Sequence, residues 1–144
     1  MNENDRVLCA ASARLLQASS LIAAWGLALS MVAMTVLALT GRALPLMSWL
    51  GCAAVALLGL LERYLAFRLR LDAGLFKDLA AASIASLGAL DHALQRLSLR
   101  KASGEPRGLE ERVAGARQLL QRHAIVVVCQ SILFLLALLT QDLR

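Results

Sequence analysis

Three stretches of the chain, 15–41, 43–61 and 124–141, contain no charged side chain. A bilayer core of about 30 Å takes about 20 helical residues to cross, within a range of about 17–25. Each stretch is long enough, so the pattern predicts three transmembrane helices near 17–40, 45–64 and 124–141. Composition agrees: 59% of the residues are apolar and 17% charged, against roughly 45–50% and ~25% in soluble domains. A chain of 144 residues has room for one domain. The expected fold is an all-α integral membrane protein in a single membrane domain. The first stretch is too long for the h-region of a cleaved signal, about 7–15 residues, and no small-x-small site precedes Arg42.

Orientation follows from where Lys and Arg fall. Eleven of the fifteen lie in 62–123, and Arg6 and Arg14 add to the N-terminal tail. The other side has Arg42 and Arg144. The N-terminus and the middle segment, about 65–123, are therefore expected in the cytoplasm and the C-terminus in the periplasm. Richness in Leu, Ala and Arg fits a GC-rich bacterial genome, hence an inner membrane. The net charge of +5 then faces the anionic headgroups of the bilayer, an expected partner. Nucleic acid is not expected, because the basic residues alternate with acids and lack an aromatic platform.

Gly41 and Pro45 mark a tight outer turn. The other strong breaker is KASGEPRG, a turn at 101–108. Everything between the two turns reads as helix. Positions 66, 69, 73, 76, 80, 83, 87, 90, 94 and 97 alternate steps of three and four, as in a coiled-coil seam. Leu109, Val113, Ala116, Leu120 and His123 repeat the spacing after the turn, and Leu8, Ala11, Leu15 and Ala18 do so before the first span. A cytoplasmic helical hairpin, a coiled-coil extension between the second and third spans, is the expectation.

Length constrains that hairpin. An unbroken helix from Glu62 to Arg100 would be ~58 Å long, while 109–123 supplies ~22 Å. An eight-residue loop adds at most ~28 Å. The descending helix is therefore expected to bend, tilt or lie along the membrane, with an elbow around 70–74 beside Gly74. Arg63, Arg68, Arg70 and Lys77 would snorkel there while Leu65, Phe67, Leu69, Leu71, Leu75 and Phe76 reach into lipid.

Glu62, Arg63 and Tyr64 close the second span. Their expected role is to mark its cytoplasmic end, with Tyr64 at the headgroup belt; the alternative is a polar cluster contacting a partner or a headgroup. Arg68, Arg70 and Asp72 belong to the same candidate interface, Arg68 and Asp72 being spaced to pair on one helix face. Small residues suggest close helix packing: Gly26 and Ser30, Gly51, Val55 and Gly59, and a further stripe of Ser20, Ala24 and Ala28. Leu87, Leu90, Leu94 and Leu97 are the packing candidates of the extension.

Chemistry of the chain's own is hard to find. The cysteines Cys9, Cys52 and Cys129 sit at different depths and read as small buried residues; no spacing suggests a metal. His92 and His123 are offset by ~10 Å along an antiparallel pair, too far to share a haem iron, and His123 reads as an interfacial side chain. No nucleophile-base set, carboxylate pair or phosphate loop is present. No enzyme, cofactor or metal is expected. The span interiors lack charged groups, which disfavours a classical transporter. The expected function is that of a non-enzymatic small inner-membrane subunit or scaffold, assembling with copies of itself or with a larger membrane partner. The alternative is a small oligomeric channel or membrane-permeabilising protein.

Overall fold

The computed structural model describes residues 2–82, 88, 96 and 108–140. Three long helices dominate: α1 (Glu3–Thr40), α2 (Leu46–Ala80) and α3 (Leu109–Leu139), with a 3₁₀ turn at Gly41–Ala43. Among the described residues there is no strand. All three helices are long and apolar enough to cross a membrane.

The ends obey local chemistry. Asp5 reaches back to the Asn2 N–H at 2.8 Å, and its own N–H donates to the Asn2 carbonyl at 3.1 Å. This satisfies donors that the first helical turn leaves unpaired. Glu3 and Asp5 also place negative charge at the positive end of the helix. At the turn after α1 Gly41 has a φ of 50°, a left-handed conformation that glycine adopts without steric cost. Leu44 is extended, and the Pro45 carbonyl accepts the first bond of α2, from Trp49 N–H. The Gly–Pro turn is where the sequence places it.

α2 ends earlier than the sequence suggests. It continues helically through 70–74 and stops at Ala80, where the Ala81 and Ala82 N–H groups bond back to Lys77 and Leu79. Ala82 takes the left-handed conformation, φ 55°, usually left to glycine. The stretch from Glu62 to Ala80 is therefore ~28 Å long, close to the ~22 Å of 109–123. The premise of the expected elbow, an unbroken helix to Arg100, does not hold. Ser83, Leu87, Leu90, His92, Leu94 and Leu97 lie outside the described residues, as does the turn at 101–107.

Two packed units account for the described residues: Met1–Gln17 with Leu69–Leu119, and Ala18–Arg68 with Leu120–Arg144. The first buries Cys9, Ser12, Ala13, Leu16, Leu69, Ala73, Phe76, Leu79 and Ala116. Leu69 and Phe76, expected in lipid, are thus internal, and so is Leu65 in the second unit; Phe67 and Leu71 are exposed. On α1 the predicted seam is off by one residue. Leu8, Ala11, Leu15 and Ala18 are exposed, while Cys9, Ser12, Leu16 and Ser19 are buried. Choosing the largest apolar residues favours the leucines. Close-packed helices instead admit small side chains to the inside.

The second unit is a three-stripe interior. Near the turn between α1 and α2, buried Ser48 pairs with Thr140 at 3.1 Å. An apolar layer follows, of Leu29, Ala33, Cys52, Val55 and Ala137, flanked by Val36, Leu37, Leu133 and Phe134. Gly51 lets α3 come close here: a Cβ at this position would lie 2.7 Å from the Ala137 Cβ. Beyond this layer the interior turns polar.

Candidate functional site

The polar interior begins at Gln130. Its amide nitrogen donates to the Ser30 hydroxyl at 2.7 Å, to the Gly26 carbonyl at 3.1 Å and to the Val55 carbonyl at 3.3 Å. One side chain of α3 thereby ties α1 and α2 together. Ser30 in turn donates to the Gly26 carbonyl at 2.9 Å. The layer closes only because position 59 is glycine; a Cβ there would sit 2.1 Å from the Ser30 hydroxyl oxygen. Gln130 Oε1 has no partner.

Two turns past Val55 on α2 is Glu62, fully buried. Arg63 Nε donates to its Oε2 at 2.6 Å, and Arg63 Nη2 to its Oε1 at 2.8 Å. Arg63 Nη2 also donates to the Ala23 carbonyl of α1. From α3, His123 Nε2 lies 2.9 Å from Glu62 Oε1, and the imidazole is itself fully buried. An ionised carboxylate only accepts hydrogen bonds, so Nε2 carries the proton. Nδ1 is left buried and without a partner. Gly26 makes room for the carboxylate, because a Cβ there would come within 3.0 Å of Glu62 Cγ and Cδ.

The site's depth follows from helix rise. Glu62 is sixteen residues past Leu46 and His123 seventeen before Thr140, or ~24–26 Å from the turn end of the unit. In a hydrocarbon layer of ~30 Å this lies near the far boundary, as the charge pattern implies. The side chain's direction is what the sequence reading missed: Glu62 points neither to headgroups nor to a partner but into its own bundle. His123 is likewise internal rather than interfacial.

The remaining candidates divide by exposure. Tyr64, Arg68 and Arg70 are exposed, and Asp72 is half-buried. Arg63 is intermediate, 38% exposed at its side chain. Of the packing candidates, Gly26, Val55 and Gly59 are buried and Gly51 and Ser30 half-buried, whereas Ser20, Ala24 and Ala28 face outward. Trp25 donates to the Ser131 hydroxyl at 3.1 Å, another α1–α3 tie. Among the described residues no group of three or more His, Cys, Asp or Glu could hold a metal, and the three cysteines are free.

A usable signal for Glu62, His123 and Gln130 did exist. Extending the seam at 66, 69, 73 and 76 backward by the same steps gives 62, 59, 55, 52 and 48, and each of these residues is buried. Continuing the α3 series past His123 gives Val127, Gln130, Phe134 and Ala137, of which only Phe134 is less than buried. The buried face thus runs across the expected membrane boundary without a break, because helix packing recognises no such boundary. No protein-family model matches the chain, and no curated protein or solved structure matches it either.

Proposed function

We propose that the protein is a non-enzymatic subunit or scaffold of a bacterial inner membrane, lying with its N-terminus in the cytoplasm and joining copies of itself or a larger membrane complex through helix packing. The observation that carries this reading is the inward direction of the polar groups. Glu62, Arg63, His123, Gln130 and Ser30 are occupied with one another and with the backbone of neighbouring helices. Such a network fixes how three helices meet. The apolar layer of Leu29, Ala33, Cys52, Val55 and Ala137 fills the interior between it and the Ser48–Thr140 pair. That arrangement favours a fixed bundle over a water path through one copy.

The outward faces supply what assembly needs. Leu21, Trp25, Met31, Leu39, Leu57 and Leu60 are more than half exposed, and the small residues Ser20, Ala24 and Ala28 lie among the first of them on α1. Lipid suits the large side chains and a close-packed neighbouring helix suits the small ones. Exposed Arg68 and Arg70 suit anionic headgroups. Purification from native membranes in a mild detergent tests the proposal. A stoichiometric partner, or a defined oligomer that leaves liposomes sealed, is the expected result. A ring that releases ions from liposomes would replace it with the oligomeric channel.

A further inference from the structure

The Glu62 carboxylate is shared by two side chains that differ in access to water. His123 is fully buried and Arg63 is 38% exposed. They meet on the same oxygen, Oε1, at 2.9 and 2.8 Å. With His123 neutral, the carboxylate and guanidinium charges balance and Nε2–H is a third, uncharged donor. The open lone pair of Nδ1, buried with no partner, is then the one place on the ring where a proton can add.

Consider that proton arriving from the aqueous buffer: one N–H bond forms at Nδ1 and no bond in the protein breaks. The cluster now holds two cations on one carboxylate, in a site where an uncompensated charge is costly. Among the described residues no second acid is bonded to the cluster to offset it. α2 presents Glu62 and Arg63, α1 contributes the Ala23 carbonyl and the Gly26 backbone, which do not titrate, and on α3 the adjacent Arg122 is exposed and basic. Relief comes from releasing one cation. His123 is fully buried, whereas Arg63 already reaches the surface and has a stem long enough to snorkel.

We infer that Glu62, His123 and Arg63 form a proton-operated switch in which proton uptake by His123 gives it the carboxylate and frees Arg63 from Glu62 and Ala23 to bind the phosphate of a lipid headgroup. Arginine suits that destination, because its guanidinium matches phosphate oxygens in two-point contact. In the neutral state Arg63 clasps α1 to α2; in the protonated state it anchors α2 to the membrane surface. The mechanism depends on a bilayer around the bundle but not on the subunit role proposed above.

The test uses the full chain, labelled with ¹⁵N at Arg and His, in phosphatidylglycerol–phosphatidylcholine vesicles. Solid-state spectra are recorded between about pH 8 and pH 5, the range in which imidazole charge ordinarily changes. The expected result is that Arg63 Nε–H loses its protection from exchange, and gains a ³¹P contact, at the same midpoint at which the His123 ring titrates. His123→Gln, which keeps a donor for Glu62 but takes no proton, is expected to leave Arg63 unchanged over the whole range. An Arg63 signal that ignores the His123 titration, a phosphorus contact equally strong at both extremes, or an identical transition in His123→Gln would each overturn the switch. Should His123→Gln fail to fold, the coincidence of the two midpoints in the wild type decides alone.

Discussion

At the residue scale, burial without a partner separates the polar groups of the bundle. Glu62 is fully used, accepting from Arg63 and His123, whereas Gln130 leaves its carbonyl oxygen unpaired. An unsatisfied buried polar atom costs about 1–3 kcal/mol. Removing each side chain should therefore have opposite consequences. Glu62→Ala strips the acceptor from the buried His123 N–H and is expected to cost about 1–3 kcal/mol. Gln130→Leu removes the orphaned oxygen together with interhelical bonds worth on average only about 0.6 kcal/mol in a membrane, so it should be close to neutral or stabilising. Reversible unfolding in mixed micelles measures both, and the reverse order would show that the Gln130 amide is the stronger tie. Neither outcome was legible from residue identity. A Glu beside an Arg at the end of an apolar run looks like a boundary marker whichever way its side chain points.

At the element scale, periodicity was the informative signal and helix ends the weak one. The steps of three and four on α2 mark a buried face from Ser48 through Phe76, and they read equally well in lipid and water because they describe helix geometry. The end at Ala80 has no such signature. No Gly, Pro or Asn follows it; Ala82 takes up the left-handed turn instead. A β-carbon in that conformation costs roughly 1–2 kcal/mol. Ala82→Gly is accordingly expected to stabilise the end of α2 by about 1 kcal/mol, seen as slower hydrogen exchange at the Ala81 and Ala82 amides. Unchanged or faster exchange would mean that residue 82 is not left-handed in the bilayer. The off-by-one register on α1 has a related cause: Leu8, Ala11, Leu15, Ala18 and Cys9, Ser12, Leu16, Ser19 share one spacing, so periodicity alone does not choose between the two stripes.

At the scale of the whole molecule, many large apolar side chains of the described residues face outward while Glu62, His123 and Gln130 are buried among apolar neighbours, an arrangement that suits a bundle able to cross a bilayer. The cysteines offer a direct check. Cys9 is fully buried, and that burial, helped by the nearby Asp5 charge, pushes its thiol pKa up. Cys52 is buried and Cys129 exposed. A maleimide applied to intact membranes is expected to label none of the three quickly, because Cys9 and Cys52 are packed inside and Cys129 lies on the apolar outer face of the 124–141 stretch, where a thiolate does not form; all three should react once the protein is unfolded in denaturant. Rapid labelling of Cys9 in the native state would contradict the packing of Met1–Gln17 with Leu69–Leu119.

The amino-acid sequence alone determined that the chain is helical, that three segments can cross a bilayer, and where the turn between α1 and α2 falls. Those properties depend on local quantities: the length of charge-free runs, the glycine at 41 and the proline at 45. Tertiary structure alone decided that Glu62, His123 and Arg63 form one cluster, because Glu62 and His123 are 61 residues apart in sequence. Each is an ordinary boundary residue on its own helix. They become a site only when α2 and α3 are packed in register, with Gly26 of α1 leaving space for the carboxylate between them.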